Sequence, residues 1–353
     1  MSNVLSNILK RDRITFKEIT SGPYAFIWYV ADKGYDLVDE TTHRLADETK
    51  RQEEPGPWLI PHEKIDGVVN KFRVNNYTPL QKPILHRKFS ELYNEKVILD
   101  FADKYGLLDQ PKTRLIPSVG GGVHIGESVK LWEKEITDMG GLLTIWDLVL
   151  KRDAGKLGQF IIWTEHTVQI DMVADFNDTQ NKWEILMPRR SNIYLRNPKK
   201  LPPAKENATW QYFRDNYYSR PRVRFNGIIG SAGINSSYFN RWGRGEVIEP
   251  ARHFVIREVN ERLKGHLDLR LLVPDQEYES PSSFYLFPHS LRSALWVMAL
   301  MELTAKTRLR QCDICGEWKE VQVSRNPFYC GDACKQAAYR KRKELAMTGT
   351  KGI

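Results

Sequence analysis

The sequence near the C-terminus reads Cys312-Asp-Ile-Cys315 and then, after a spacer of fourteen residues, Cys330-Gly-Asp-Ala-Cys334. The chain of 353 residues contains no other cysteine. Two close pairs separated by a short spacer are typical of a structural zinc site, because each pair supplies two thiolates from one tight turn and the spacer brings the pairs together. Four thiolates complete a tetrahedral shell, so such an ion would hold the segment folded and would not activate water.

Two other states are open to these cysteines, namely four buried free thiols or two disulfide bonds. Disulfides are rare in reducing compartments, and the sequence begins without the apolar run of a secretory signal. Clustering in pairs is not expected of isolated buried thiols. We therefore predict a structural Zn²⁺ ion bound by Cys312, Cys315, Cys330 and Cys334 in a cytoplasmic protein.

The residues around the cysteines predict a treble-clef or ribbon-like zinc finger. Gly316 follows the first pair and suits the knuckle turn of such a finger. Gly331-Asp332 can open a helix that carries Cys334 in its first turn. That helix would continue through Arg340-Lys341-Arg342-Lys343, and its exposed face would then be strongly positive.

Positive charge is concentrated around the cysteines. The chain has a formal net charge of +9, and residues 304–343 contain ten Lys or Arg against four Asp or Glu, a surplus of six. Such a patch attracts polyanions, of which nucleic acid is the commonest in a cytoplasm. The alternative is a solvated basic tail that keeps the protein soluble. The predicted phosphate contacts are Arg325, Lys335, Arg340, Lys341, Arg342 and Lys343, and base recognition would come from Gln336 or from an arginine.

A second surface for nucleic acid is a hypothesis based on residues 210–225. This run interleaves aromatic residues with Arg220, Arg222 and Arg224, which we name as candidate contacts. Bases stack on aromatic rings while arginines bind phosphates, so the run has suitable chemistry. Aromatic residues of this kind are more often anchors of a core or a loop, and we favour that interpretation.

The long segment before the finger predicts a body of class α+β. Apolar residues at helical spacing, with Asn94 as a cap and Gly106 as a stop, indicate one helix, and Ser290 begins another that leads into the finger. Gly140-Gly141 is predicted to break a third helix. Segments rich in β-branched and aromatic residues, such as 160–173, indicate strands. No apolar run is long enough to cross a membrane.

The predicted domain boundaries follow from this pattern. We expect an N-terminal α+β region at residues 1–110, an α+β main body at 111–305 that ends in a buried helix, and the zinc finger at 306–346. The α+β body that precedes the finger is expected to serve as a sensor or as a platform for a protein partner or a second copy of the chain.

A catalytic site is not the favoured interpretation of the sequence. The eight histidines form no paired metal motif, and none stands beside a serine in a nucleophile-elbow context. Glu165-His166, Asp171, Asp175 and Asp178 could in principle gather Mg²⁺ for phosphodiester chemistry. Scattered surface acids are the commoner explanation, so whether the chain is an enzyme stays open, with a non-enzyme favoured.

The finger resembles the CGNR-type zinc finger. The resemblance is carried by residues 308–318, Ser324-Arg325-Asn326, Tyr329-Cys330, Cys334 and Tyr339-Arg340-Lys341-Arg342, with weaker similarity at residues 101–108 and 291–303 to the ABATE-type domain that often precedes that finger. The chain departs from the family where Lys335-Gln336-Ala337 replaces Gly-Asn-Arg. By resemblance, the four cysteines would bind zinc, the basic helix would face DNA, and the protein would be a bacterial, stress-induced transcription regulator.

These observations give three hypotheses about function. The first is a zinc-dependent nucleic-acid-binding protein, with DNA preferred over RNA as the partner, that regulates transcription in bacteria. The second is a nucleic-acid-processing enzyme or a defence-system component that uses the finger for targeting. The third, less favoured, is a finger that binds another protein.

Overall fold

The computed structural model describes residues 26–38, 57–62, 74–82, 84–108, 114–117, 123–177, 182–186, 222–233, 239–272, 283–304, 309–321 and 328–349. Two candidate nucleic-acid contacts, Arg220 and Arg325, lie outside these ranges, and so do residues 210–221 of the aromatic run.

Fourteen strands lie within these ranges, and every pairing between them is antiparallel. They are β1 (Trp28–Ala31), β2 (Tyr35–Val38), β3 (Trp58–Pro61), β4 (Val74–Tyr77), β5 (Arg114–Pro117), β6 (Val123–Ser128), β7 (Ile161–Trp163), β8 (Thr167–Asn177), β9 (Lys182–Leu186), β10 (Arg222–Ser231), β11 (Leu267–Leu272), β12 (Ser283–Pro288), β13 (Leu309–Gln311) and β14 (Trp318–Glu320). One four-stranded sheet has the order β2-β3-β6-β5, and another has β8 paired with β10, β7 and β9. The remaining strands form the pairs β1-β4, β11-β12 and β13-β14.

Seven α-helices accompany these sheets in the described part of the chain. They are α1 (Leu85–Ser90), α2 (Glu95–Tyr105), α3 (Val129–Lys151), α4 (Ala154–Leu157), α5 (Ile248–Leu263), α6 (Leu291–Leu303) and α7 (Asp332–Gly349). Helices combined with small antiparallel sheets confirm the predicted α+β class. None of the described helices has both the length and the apolar character that crossing a bilayer requires.

Helix α2 forms where its sequence predicted a helix. The side chain of Asn94 accepts a hydrogen bond from the N–H of Val97 at 3.0 Å, which satisfies one of the free donors of the first turn. Gly106 ends the helix with a φ of 84°, a conformation that glycine adopts without strain. Ile98 and Phe101 are buried on the inner face, as their spacing indicates.

Helix α3 runs unbroken through Gly140-Gly141, so the predicted break there is wrong. The two glycines are sites of close packing. A Cβ on Gly140 would overlap the indole of Trp183, and one on Gly141 would lie 2.7 Å from the ring of Phe225. The helix therefore accepts two residues of low helix propensity because strands β9 and β10 approach its backbone closely.

Replacing Gly140 with alanine is expected to lower the free energy of unfolding by about 1–3 kcal/mol, because overpacking outweighs the gain in helix propensity. The indole of Trp183 cannot move aside freely, since its Nε1 donates to the carbonyl of Ser90 at 2.6 Å. Urea denaturation measures the loss. Gly155→Ala is the matched control, because its Cβ would meet only a carboxylate oxygen at 3.7 Å. A Gly140→Ala protein as stable as the wild type would contradict this packing.

Most of the core in the described residues is one large cluster of apolar side chains around α3. It includes Trp28 and Phe101 from before residue 110, and Trp132, Phe254 and Trp296 from after it. Helix α3 packs against α1, α5, β9 and β10, which places it between the helices and the sheet. The predicted domain boundaries stay a prediction, since no observation tests them.

Helix α6 connects this core to the C-terminal cysteines. The hydroxyl of Ser290 accepts from the N–H of Ser293, and the hydroxyl of Ser293 accepts from the N–H of Ser290, which is a reciprocal cap. Nearly every residue from Leu291 to Leu303 is buried, in agreement with the prediction of a buried helix. Its last turn carries Glu302, only five per cent exposed.

Candidate metal centre

The first cysteine pair lies in the turn of the β13-β14 hairpin. Gln311 pairs with Trp318, and the N–H of Cys312 donates to the carbonyl of Glu317 at 2.9 Å. The N–H of Gly316 then donates to the carbonyl of Cys312 at 3.0 Å, and Gly316 has a φ of 73°. This tight turn, which requires a residue tolerant of positive φ, directs the two thiols of the pair toward one point.

The second pair lies at the start of helix α7. Cys330 precedes the helix and Cys334 is in its first turn, as the sequence predicted. Asp313 connects the two pairs, because its N–H donates to the carbonyl of Phe328 at 3.0 Å while its carboxylate accepts from the N–H of the same residue at 2.7 Å. The hairpin and the helix start therefore meet in the arrangement of a treble clef.

The four sulfurs are spaced as a tetrahedral metal site requires. All four lie within 4.8 Å of one another, and Sγ of Cys330 is 3.5 Å from Sγ of both Cys315 and Cys334. Tetrahedral bonds of about 2.3 Å would place sulfurs about 3.8 Å apart, whereas a disulfide requires about 2.05 Å. The cysteines are free, and Cys315 is exposed. The cluster could therefore hold a metal ion, and it resembles neither a disulfide pair nor a set of four separate buried thiols.

The thiols of the cluster influence one another's protonation. Burial raises the pKa of the Cys312 thiol, but the N–H groups of Cys315, Ile314 and Cys330 outweigh this effect and lower that pKa to about 6. Hydrogen bonding with the sulfurs of Cys330 and Cys315 raises the pKa of Cys334 to about 12. Without a cation the sulfurs must share protons, and a divalent ion would replace these protons and bind the thiolates together.

Comparisons with protein-family models, with curated proteins and with solved structures give no match for this chain. The structure shows the cluster formed by Cys312, Cys315, Cys330 and Cys334 in the C-terminal region. No family match supports an assignment to the CGNR-type finger or to the ABATE-type domain.

Helix α7 presents the predicted phosphate contacts on its surface. Lys335, Gln336, Arg340, Lys341, Arg342 and Lys343 are all exposed. On the inner side of the helix Ala338 is buried. The Nε of Arg342 donates to the carbonyl of Ala338 at 3.4 Å. The Nζ of Lys335 forms an ion pair at 3.0 Å with Asp332, one turn earlier on the same helix. The helix thus carries five exposed cationic residues within nine positions, directly after the last cysteine.

Arg222 and Arg224, the candidates for a second surface, lie on strand β10 beside acidic residues of strand β8. Arg224 is 3.2 Å from the carboxylate of Asp171, and Arg222 is 4.0 Å from that of Asp175. Asp171 and Asp175 were two of the residues that could in principle gather Mg²⁺, and Asp178, another of them, lies outside the described residues. Within the described ranges, the cysteines are the group of ligating side chains close enough to share an ion.

The sequence did not reveal how this finger, residues 309–349, attaches to the body. Trp318 on β14 lies over the guanidinium of Arg87, whose Cζ is 4.1 Å from the ring centroid. The Nε1 of Trp318 also donates to Glu91 at 2.7 Å, and burial raises the pKa of that carboxyl. A tryptophan close to the first cysteine pair thus anchors the finger through stacking and one hydrogen bond.

Arg87 is itself the centre of a buried charge network. It donates to Asp147 on α3 at 2.7 and 3.0 Å, and to both carboxylate oxygens of Glu302 on α6. The Nε2 of His86 lies 2.7 Å from the same Glu302 carboxylate, and burial lowers the pKa of His86, so the ring is neutral at neutral pH. The side chains of Arg87 and Glu302 are only 4% and 3% exposed. Through Trp318 the finger therefore contacts a desolvated group of charges.

Proposed function

We propose that this protein is a zinc-dependent nucleic-acid-binding protein. One observation supports this most directly. The cluster of four sulfurs that could bind an ion includes Cys330 and Cys334 at the start of α7, the helix that carries the exposed cations. An ion bound to Cys330 and Cys334 would fix this helix against the hairpin, and a helix so fixed presents its charges to a polyanion in one orientation.

Zinc is the metal that the donor set favours. Four thiolates at tetrahedral spacing suit Zn²⁺ or iron, and a closed four-cysteine shell in a treble clef is the usual setting of structural zinc. Elemental analysis of the purified protein, together with the absence of visible absorption from iron, tests this assignment.

The finer role that we propose is DNA-binding regulation of transcription in a bacterial cytoplasm. It is supported by the resemblance of the finger to the CGNR type and by the concentration of positive charge after Cys334. Lys335, Arg340, Arg342 and neighbouring cations would bind phosphates, which orients the protein without reading sequence. The body would act as the sensor, or as the platform for a partner or a second copy.

Reversal of two charges on α7 is expected to weaken binding to nucleic acid. In Lys341→Glu/Arg342→Glu we expect affinity to fall at least about tenfold, and the slope of log affinity against log salt to decrease by about two, because two phosphate contacts are lost. Fluorescence anisotropy over a salt series measures both quantities.

The control for this experiment reverses two exposed cations of the body. In Lys156→Glu/Lys264→Glu each lysine lies 3.9 Å from an acidic neighbour on the surface, so nucleic-acid affinity should change little. Affinity that does not depend on salt, or equal losses in the two double variants, would contradict a nucleic-acid surface on α7. A finger that binds protein instead would leave the zinc-loaded wild type without measurable affinity for DNA or RNA.

A further inference from the structure

The exposed face of α7 carries an aromatic ring among its cations. Tyr339 is 64% exposed, the highest value among the exposed large hydrophobic residues of the described chain. Its neighbour Ala338 is 5% exposed, so the helix has a clear inner and outer side. An exposed tyrosine can be incidental, and its significance depends on what surrounds it.

Helical periodicity places Tyr339 in the middle of a cationic surface. Gln336, Tyr339 and Lys343 follow one another at spacings of three and four residues and so lie along one line of the helix. Lys335 and Arg342 border this line on one side, and Arg340 borders it on the other. All six residues are exposed, and we call them the Tyr339 surface.

The start of the helix is less positive than its middle, because Lys335 there is paired with Asp332. The side chain of Asp332 is 88% exposed there, and four thiolates around a divalent ion would add a local charge of about −2. Helices that read a DNA major groove commonly contact base edges with residues of their N-terminal part. In α7 the cations Arg340 to Lys343 come two turns later, so the middle of the helix is the part suited to nucleic acid.

The chemistry of an aromatic ring between cations suits an unpaired strand better than a duplex. In a duplex the faces of the bases are covered by neighbouring base pairs, whereas a single strand exposes them for stacking on tyrosine. Lysine and arginine at the edges of the ring can bind the phosphates that flank a stacked base. A duplex would offer Tyr339 only sugar, phosphate or base edges.

We propose that the Tyr339 surface binds single-stranded nucleic acid, with one base stacked on Tyr339 and adjacent phosphates bound by the flanking cations. This inference rests on the proposed function and narrows its target from nucleic acid in general to an unpaired strand. A regulator of this kind would act where a strand is open.

The test compares a labelled oligothymidine with a labelled duplex of the same length, using zinc-loaded full-length protein and anisotropy at fixed salt. We expect the wild type to prefer the single strand.

In Tyr339→Ala we expect about a ten- to hundredfold loss of affinity for oligothymidine and less than about a twofold change for the duplex. Tyr339→Phe should retain the wild-type affinity, because it keeps the ring, and Gln336→Ala should lose less than Tyr339→Ala. Circular dichroism and zinc content confirm that each variant is folded.

The outcomes separate this inference from the proposed function. Three results would overturn the stacking role and leave nucleic-acid binding in place. They are a wild-type preference for the duplex, an equal loss of affinity for both probes in Tyr339→Ala, and no loss of affinity for either probe in that variant. No binding of either probe by the zinc-loaded wild type would remove the proposed function, and the inference with it.

Discussion

Replacing Cys312 with serine is expected to abolish stoichiometric zinc binding and to unfold the finger. Cys312 is the most enclosed of the four clustered cysteines, at 3% exposure, and its sulfur accepts from the N–H of Cys330 at 3.4 Å. Serine would remove a thiolate and leave an incomplete shell around the ion. Structural zinc contributes about 10–16 kcal/mol in small fingers at neutral pH, so few changes in this chain should have a larger local effect.

The finger has little else to keep it folded. Strands β13 and β14 have three residues each, and an isolated hairpin of this size is marginal in water. Among the described residues of the finger none belongs to the large core cluster, so the body should stay folded when the metal site is disrupted. We therefore expect local unfolding of residues 309–349 and not global unfolding.

Three measurements check this expectation. Elemental analysis should give about one zinc per wild-type chain and none in Cys312→Ser, hydrogen exchange should rise over the finger alone, and helical circular dichroism should fall in proportion to α7. Ile314→Ser is the matched control, since this side chain is exposed in the same knuckle and is not a ligand. A Cys312→Ser protein that keeps one zinc and a protected finger would contradict the metal centre.

The features predicted from the sequence are those that depend on nearby residues. The spacing within each cysteine pair, the cap at Asn94 and the cap at Ser290 each act over a few positions, and the structure contains all three. Local chemistry determines such features almost completely, because the partners are already neighbours in the chain.

The features that the sequence did not predict depend on distant partners. Gly140 suggested a helix break because its local propensity is low, and the reason for it is the indole of Trp183 in another element. Arg87 and Glu302 are 215 positions apart, and Trp318 and Glu91 are 227 apart. No local pattern indicates such pairs, so the docking of the finger could be found only once the fold was known.

Replacing Arg87 with methionine is expected to lower the free energy of unfolding by about 3–5 kcal/mol. The change would leave the carboxylate of Glu302 buried without its main counter-charge and would remove the cation under Trp318. Removing one partner of a buried ion pair costs more stability than the intact pair contributes, because the remaining charge is desolvated and has no counter-charge. Urea denaturation followed by tryptophan fluorescence measures this loss.

The pH dependence of this loss of stability is expected to identify Glu302 as its source. Burial raises the pKa of Glu302, but the charge of Arg87 and the hydrogen bonds from His86 and Arg87 outweigh this and lower it from 4.5 to about 2. A carboxyl with a lowered pKa stabilises the fold fully above 4.5, and this contribution, about 3 kcal/mol, is lost as pH falls toward 2. In the Arg87→Met variant burial would instead raise the pKa, so the difference from wild type should be largest above pH 4.5 and should shrink on acidification.

A surface pair provides the comparison that isolates burial as the cause. Arg252 forms an ion pair with Glu249 at 2.8 Å, but both side chains are more than 40% exposed, and Arg252→Met should change stability by less than about 1 kcal/mol at any pH. Two results would show that Arg87 does not stabilise the Glu302 carboxylate. One is an equal loss of stability in the two variants, and the other is a loss of stability in Arg87→Met that is the same at pH 7 and at acid pH. Combining Arg87→Met with Trp318→Leu should cost less than the sum of the single changes, because the cation and the ring that it stacks on stabilise each other.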